Sequence, residues 1–381
     1  MIRTFQLGLL LCLSLAFEMV IAAEQPSVVQ SKQASFRVVE LADGLEHPWG
    51  MVFLPDGRML VTERPGRLRI VGKDGELSAP LKGLPSIVAR GQGGLLDVAL
   101  DPAFKENSLV YISYAGQGDD GTGTEVARGK LGDDTLQDLE VIFRALPKMD
   151  SNHHFGSRLQ FDREGRLFIT LGDRGDKDQA QQLGSHNGSI IRINADGSVP
   201  KDNPFMDREG AKPEIYTYGN RNVQGLALHP VTGQIWAHEH GPQGGDEINI
   251  VKPAVNYGWP VITYGRNYGI GTKIGEGTAK PGMEQPLYYW VPSIAPSGMA
   301  FYDGDAFPEW RGDLFVGALK DQMLVRLELK DGKIVDEERL LKNELGRIRD
   351  VNLGPDELFY LLTDADDGKL VRLEPVKKSA K

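Results

Sequence analysis

The chain has 381 residues, of which 40% are hydrophobic and 25% are charged. This composition is typical of a globular protein, and a chain of this length can bury a large core. The formal net charge of −10 argues against nucleic acid as a partner and against binding to anionic membranes, because both need a basic face.

Residues 1–23 have the pattern of a secretory signal peptide. Arg3 precedes an apolar run that ends at Phe17, and small residues follow at Ala22 and Ala23. A positive start, a short apolar stretch and a small-residue exit are typical of a cleaved export signal, and the run is short for a membrane span. We expect export to the periplasm or the medium. The alternative is an N-terminal membrane anchor.

The mature chain is expected to comprise residues 24–381 as one domain. The only cysteine is Cys12, inside the signal, so the mature protein would contain no disulfide. Export implies an oxidising compartment, and stability there must come from the core rather than from disulfides. No other segment is expected to span a membrane.

A hairpin pattern recurs along the mature chain: a short apolar strand, a turn with Asp, Pro or Gly, and a second apolar strand. The six repeats begin at Met51, Asp97, Leu159, Leu226, Met299 and Val351. They are roughly 45 to 75 residues apart, which is the spacing of propeller blades with loop insertions. The pattern predicts an all-β, six-bladed β-propeller with four-stranded antiparallel blades. The alternative is a two-sheet sandwich or a pair of β domains.

Two adjacent histidines stand immediately before the third hairpin, in the string Asn-His-His-Phe-Gly-Ser-Arg. A neutral imidazole at His153 or His154 could take a proton at physiological pH. Asp173 follows the paired strand of the same hairpin and could orient that imidazole. The alternatives are solvated loop histidines and an ordinary turn aspartate.

The next two polar strings suggest an anion clamp and a cation site. Arg221 and Asn222 lie between glycines, and arginine with an amide is a good clamp for a planar, carboxylate-bearing ligand. In His-Glu-His at residues 238–240 the two histidines share a face, but a third zinc ligand at suitable spacing is missing. The carboxylates and loop carbonyls that follow suit calcium better.

Basic residues cluster late in the chain. Lys320 follows the fifth hairpin, and Arg347 and Arg349 alternate on an extended segment, so both point the same way. On an acidic protein, converging cations indicate a polyanionic small ligand, with a salt-bridged strand end as the alternative. Gln92 lies in a glycine-rich loop that lacks the phosphate-loop pattern and offers one further polar contact.

Taken together, these five strings occur in the order found in the soluble quinoprotein aldose sugar dehydrogenases, and the chain resembles that family from His47 to the last strand. The resemblance implies a six-bladed propeller that holds pyrroloquinoline quinone (PQQ) and Ca²⁺ at one mouth. It implies that His154 is the base for the sugar C1 hydroxyl, with hydride passing to C5 of the quinone, and that Asp173 orients this base.

The same resemblance assigns the remaining site residues. It implies cofactor contacts by Gln92, Arg221, Asn222, Tyr268, Lys320, Arg347 and Arg349. The backbone carbonyls of Gly241 and Pro242 match ligands of the cofactor's calcium, and Glu247 and Tyr257 resemble a second, structural calcium site. His153 stands where a more distant glucose-oxidising relative has an acidic residue, which bears on substrate choice.

The expected function is PQQ- and calcium-dependent oxidation of an aldose to its lactone, with electrons passed to an external acceptor. We expect a monomer or a homodimer. Two other functions stay open: a calcium-dependent lactonase on the same kind of propeller, and a secreted binding propeller without catalysis. Converging arginines and a lysine favour an anionic cofactor over the lactonase.

Overall fold

The computed structural model describes residues 27–376, so the expected signal peptide and Cys12 lie outside the described residues. Within that range, strands dominate. They are β1 (Val28–Gln30), β2 (Ser35–Leu45), β3 (Pro48–Phe53), β4 (Met59–Glu63), β5 (Arg67–Val71), β6 (Leu95–Leu100), β7 (Leu109–Gly118), β8 (Gly121–Leu131), β9 (Leu136–Arg144), β10 (Leu159–Phe161), β11 (Arg166–Thr170), β12 (Ser189–Asn194), β13 (Ile215–Tyr218), β14 (Val223–Leu228), β15 (Ile235–Glu239), β16 (Asp246–Ile250), β17 (Tyr288–Trp290), β18 (Pro296–Phe301), β19 (Leu314–Ala318), β20 (Met323–Lys330), β21 (Lys333–Leu340), β22 (Ile348–Leu353), β23 (Phe359–Thr363) and β24 (Gly368–Pro375). The helices are short: α1 (Phe104–Asn107) and the 3₁₀ helices Lys177–Gln181 and Pro308–Trp310.

The strands form six antiparallel sheets, which confirms the six-bladed propeller. Four sheets have the predicted four strands: β6 to β9, β10 to β13, β14 to β17 and β18 to β21. The first sheet has only β3, β4 and β5, and the last has five strands in the order β1–β2–β24–β23–β22. The difference arises because the N-terminal strands join the last blade.

This exchange of strands closes the ring. β2 pairs with β24 in a register that places Phe36 opposite Pro375, so both ends of the described chain are in one sheet. Phe36 is fully buried and packs edge-on against Trp310, with 5.7 Å between ring centroids. β22 also contacts β3, so the last blade meets the first and no sheet face is left open.

Stacked blades explain why some strands are buried along their whole length. In β4 and β15 every residue is buried, because both faces of each sheet pack against a neighbouring blade. The six innermost strands, β3, β6, β10, β14, β18 and β22, surround the central channel.

A buried ionic cluster fills the middle of the channel. Arg158 lies 2.9 Å from Asp350 and 3.2 Å from Asp97, and these three residues belong to three different blades. Its guanidinium also donates to the backbone oxygens of Gln224 and Arg349. Arg158 thus ties four blades together directly beneath the mouth where the predicted site lies. In the range 27–376 no helix has the length and apolarity needed to cross a membrane.

Candidate active site

The candidate site is formed by loops at one mouth of the channel. Most of these loops lead into an innermost strand or follow the second strand of a blade, and the long connection between β16 and β17 also reaches the mouth with Trp259 and Tyr268. Two adjoining cavities, of about 680 and 370 Å³, share Gln92, His240 and Ala295. The larger cavity is lined by eight of the predicted residues: Gln92, His154, Asp173, Arg221, Gly241, Pro242, Tyr268 and Lys320. The smaller is lined by Gln92, Asn222, Arg347 and Arg349.

His154 and Asp173 form a hydrogen-bonded pair on the wall of the larger cavity. Nδ1 of His154 lies 2.7 Å from Oδ1 of Asp173. His154 has a φ of 56°, a left-handed conformation that non-glycine residues seldom adopt. Its carbonyl passes so close to Gly172 that a Cβ there would lie 2.2 Å from the His154 oxygen. The loops therefore hold the imidazole against the carboxylate only because residue 172 lacks a side chain.

Burial and neighbouring charges set the protonation of this pair. Burial lowers the pKa of His154 below its usual value; Arg221 and His153 act in the same direction, and the hydrogen bond to Asp173 opposes them. Burial pushes the pKa of Asp173 upward, but His154, the backbone N–H of Gly175 and the charge of Arg221 together hold it below its usual value. A neutral imidazole beside an ionised carboxylate is the form suited to taking a proton.

Gln92 supports the histidine through the backbone. Its Oε1 accepts from the His154 N–H at 2.8 Å, and its own N–H donates to the Asn152 carbonyl at 2.7 Å. Gln92, in the loop that leads into the second blade, thus holds the loop of His153 and His154 by two hydrogen bonds. His153 also lines the larger cavity, and its ring packs edge-on against His154 with 4.7 Å between centroids.

Arg221 connects the pair to the predicted calcium ligands. Its Nη1 donates to the carbonyl of Gly241 at 2.9 Å and to that of His240 at 3.2 Å. Asn222 faces the smaller cavity, where its Oδ1 accepts from the Gly156 N–H at 3.1 Å. The backbone carbonyl of Arg221 accepts from the Asp173 N–H at 2.8 Å, so Arg221 binds both the loop of Asp173 and the loop of Gly241.

Tyr268 and Lys320 stand on the rim of the larger cavity. The Tyr268 hydroxyl donates to the Pro242 carbonyl at 3.2 Å, although 68% of the residue is exposed. Nζ of Lys320 donates to the Ser293 carbonyl at 2.7 Å. Both are therefore tethered to the loops around the Gly241–Pro242 carbonyls.

Arg347 and Arg349 reach the smaller cavity side by side, as their alternation predicted. Both bind Oδ2 of Asp364, at 3.1 Å for Arg347 and 2.8 Å for Arg349. Burial raises the pKa of the Asp364 carboxyl, but Arg349, His47 and Arg347 outweigh it and hold that pKa far below its usual range. Nε of Arg349 is buried and has no hydrogen-bond partner within residues 27–376.

Glu247 and Tyr257 do not line either cavity. Glu247 lies in β16 opposite Glu239 of β15, so two buried carboxylates share one face of the fourth blade. The Tyr257 hydroxyl donates to the Ile250 carbonyl at 2.6 Å, while its backbone N–H binds Tyr218. No hydrogen bond joins Glu247 to Tyr257 in the described structure.

The sequence did not single out several residues that line the two cavities. They are Trp49, Arg64, Trp259 and Asp364, together with Asp246. Asp246 accepts from the backbone N–H groups of Gly241, Ile294 and Ala295 and so fixes two loops at once. Asp246 follows the His-Glu-His string closely and Trp259 comes soon after it, but no local pattern distinguished either residue from turn residues.

The arrangement combines one oriented imidazole with cations from three blades. Arg221, Lys320 and the Arg347–Arg349 pair would attract a ligand that bears several carboxylates. The imidazole stands beside the same space and can remove a proton from a second molecule held there.

Comparisons with known proteins fit this geometry. Residues 45–372 match the family described as glucose / sorbosone dehydrogenase. The chain is 46% identical over 355 residues to aldose sugar dehydrogenase YliI of Escherichia coli (strain K12), covering 92% of this chain and 95% of that one. A crystal structure of a glucose dehydrogenase superposes with a TM-score of 0.86 at 50% identity, covering 90% and 99% of the two chains. The PQQ-bound aldose sugar dehydrogenase of Streptomyces coelicolor superposes with a TM-score of 0.74 at 29% identity, covering 92% and 99%.

Proposed function

The chain belongs to the glucose / sorbosone dehydrogenase family, and we propose that it oxidises aldose sugars at C1 to the lactone with bound pyrroloquinoline quinone and calcium. The observation that carries this proposal is the oriented His154–Asp173 pair beside a cleft lined by cations from several blades. A relative in the same fold has been seen with PQQ bound.

The donor set fits the quinone. PQQ carries three carboxylates, and Arg349, which lines the smaller cavity, has a buried Nε that lacks a hydrogen-bond acceptor within residues 27–376. Arg221, Lys320 and Arg347 add three further cations around the same two cavities. Arginine pairs well with carboxylates, so these side chains would hold the cofactor by its acidic groups.

The donor set also fits calcium. The carbonyls of Gly241 and Pro242 line the larger cavity and would supply oxygen ligands beside the cofactor.

A second set of oxygen donors lies outside both cavities, at the carboxylates of Glu239 and Glu247. Burial raises the pKa of Glu239 to about 7 and raises that of Glu247 well above its usual value. Glu239 accepts from the Asn220 amide and from the backbone N–H of Arg221, and no salt bridge joins Glu239 or Glu247 to a basic side chain within residues 27–376.

Two amide oxygens complete this second donor set. Oδ1 of Asn220 and Oδ1 of Asn249 are buried without a hydrogen-bond partner in the described range. The Asn220 amide donates to Glu239 at 2.8 Å, and Asn249 lies on the same strand face as Glu247. A hard cation would neutralise both carboxylates and use both amide oxygens, so we propose that Glu247 takes part in a structural calcium site, to which the family resemblance also assigns Tyr257.

When bound, PQQ supplies a two-electron acceptor for the C1 hydride, and calcium polarises its C5 carbonyl. The protein's own contribution begins at His154, where Nδ1 donates to Asp173 and leaves Nε2 free to accept the proton of the C1 hydroxyl. Asp173 fixes this tautomer and stabilises the imidazolium that forms. Arg221 and Lys320 orient the acceptor and balance charge as it builds up.

The proposal is tested by reconstitution. Metal-free protein is supplied with PQQ and Ca²⁺, and reduction of an artificial dye is followed across a panel of aldoses. We expect dye reduction that needs both additions and the sugar. A dye that stays oxidised with every aldose, while a lactone is hydrolysed in the presence of calcium alone, would replace the proposal with the lactonase.

We further propose that this reaction takes place after export, because residues 1–23 carry the signal pattern. Cell fractionation is the test: the protein should be found in the periplasm or the medium, and retention in the cytoplasm would contradict export.

A further inference from the structure

The Asp173 carboxylate is held by three donors from separate parts of the chain. Its Oδ1 accepts from His154 Nδ1 at 2.7 Å and from the Gly175 N–H at 2.8 Å. Its Oδ2 accepts from the indole Nε1 of Trp259 at 2.8 Å. Within residues 27–376, Trp259 is the one donor to Oδ2.

Trp259 is itself held firmly. Its backbone N–H donates to the Gly219 carbonyl at 2.9 Å, and its carbonyl accepts from Gln181 Nε2 at 2.7 Å. The ring is 7% exposed and packs against Ala180 and Ile274. The hydrogen bonds of the Trp259 backbone N–H and carbonyl, together with the packing of the ring, therefore fix the direction of the indole N–H.

We propose that Trp259 is a positioning residue: its indole N–H fixes the rotation of the Asp173 carboxylate so that Oδ1 stays aligned with His154. The inference rests on the proposed function, in which His154 is the base. The last side-chain torsion of aspartate is broad, so donors on one oxygen alone leave the carboxylate free to turn. A donor on the second oxygen removes that freedom and satisfies a buried acceptor.

Packing alone does not explain the direction of this N–H. Trp236 and Trp310 are buried with no partner for Nε1 in the described range, so a buried tryptophan in this protein does not require one. Trp290 donates to Oε2 of Glu337 at 2.7 Å, away from both cavities. Trp290 therefore makes the same kind of bond without the histidine and provides a matched control.

The first experiment compares Trp259→Phe with Trp290→Phe in the reconstituted enzyme. We expect Trp259→Phe to lower kcat about tenfold and to change KM less than about threefold, because the aromatic ring is kept while the alignment of the base is lost. Trp290→Phe should leave both constants within about twofold of the wild type. An equal loss of kcat in the two variants would overturn the proposal.

A double-mutant cycle asks whether Trp259 acts through Asp173. In an Asp173→Asn background, Trp259→Phe should lower kcat by less than about twofold, since the carboxylate it positions is already gone. A further tenfold loss in that background would show that Trp259 acts by another route.

A third measurement needs neither cofactor nor sugar, and it separates failure of this inference from failure of the proposed function. The five tryptophans give five indole N–H signals in the NMR spectrum of the cofactor-free protein. Asp173→Asn should move the Trp259 signal upfield and leave that of Trp290 in place, and Glu337→Gln should do the reverse. If the chemical shift of the Trp259 indole N–H does not change in Asp173→Asn, the inference is overturned even in an active enzyme. This measurement keeps Trp259 intact, so it stands even if Trp259→Phe does not fold.

Discussion

At the residue scale, the proposed chemistry depends on one free atom. Nδ1 of His154 is engaged by Asp173, so Nε2 is the acceptor that remains for a substrate proton. The His154 side chain makes no hydrogen bond to the residues proposed to bind PQQ. Among those residues, only Gln92 binds His154, and it does so through the His154 backbone N–H. Catalysis and cofactor binding should therefore be separable by substitution.

We predict that His154→Ala abolishes turnover while PQQ binding stays within a few-fold of the wild type. Loss of a general base typically costs about 10² to 10⁴ in rate. Dye reduction and fluorescence titration with PQQ measure the two properties. His186→Ala is the control variant, because His186 lies outside both cavities. Lost PQQ binding with unchanged turnover per bound cofactor would contradict the role given to His154.

The pH response of His154 follows from its surroundings. Its folded-state pKa is lowered, so the neutral base persists above that pKa and is lost as the pH falls through it. In the cofactor-free protein, NMR titration should give a midpoint below that of an exposed histidine. Asp173→Asn should lower the midpoint further, and Arg221→Gln should raise it, because these neighbours act in opposite directions. A higher midpoint in Asp173→Asn would refute this account.

The cations should anchor the cofactor. We predict that Lys320→Ala and Arg347→Ala each weaken PQQ binding about tenfold or more, because a hydrogen bond to a charged group contributes roughly 1.5–3 kcal/mol. Lys342→Ala, which removes an exposed lysine of the same loop region, should leave affinity unchanged. Equal affinities in all three variants, measured by fluorescence titration, would remove Lys320 and Arg347 from the site.

The sequence identified the residues with distinctive chemistry and missed those that support them. His154, Asp173 and the basic residues stood out because of their types and turn contexts, and the structure brings them to one mouth. Trp259 is 86 positions from the aspartate that it contacts, and no pattern in its own string indicates that contact. Asp364 lies in an acidic turn-like string, so its role as partner of two arginines depends on the tertiary fold.

At the scale of the elements, blade topology explains the convergence. Antiparallel strands return the chain to the same end of the channel before each innermost strand and after each second strand. Residues from both kinds of loop, such as Gln92 and Lys320, therefore meet at one mouth. Glu247 follows Asp246 in β16, so its side chain points to the opposite face of the sheet, where it lies beside Glu239 of the neighbouring strand and not at the mouth.

This strand pair gives an element-scale prediction. Calcium should raise the melting temperature of the metal-free protein by about 4 °C at a hundred times its dissociation constant, because a ligand of the folded state stabilises it by about 2.7 kcal/mol there. Glu247→Gln should remove at least half of this rise, and Glu140→Gln, at an exposed carboxylate, should not. A full calcium response in Glu247→Gln, measured by differential scanning calorimetry, would exclude Glu247 from the site.

At the scale of the whole molecule, six local hairpin patterns were enough to predict a six-bladed ring, because each blade repeats the same turn chemistry. The exchange of strands between the ends was not predictable in this way. β2 pairs with β24 across most of the chain, and no local signal marks such a partner. The ring and the Arg158 cluster beneath the mouth set the distances among loops that are far apart in sequence.

We propose that one pocket brings the sugar, the base and a bound quinone together. A single-turnover measurement without dye or oxygen is the most direct test: protein loaded with PQQ and Ca²⁺ is mixed with one equivalent of aldose. The bound quinone should be reduced once for each lactone formed, and in His154→Ala it should stay oxidised over the same interval. A quinone that stays oxidised in the wild type with every aldose would refute the shared pocket.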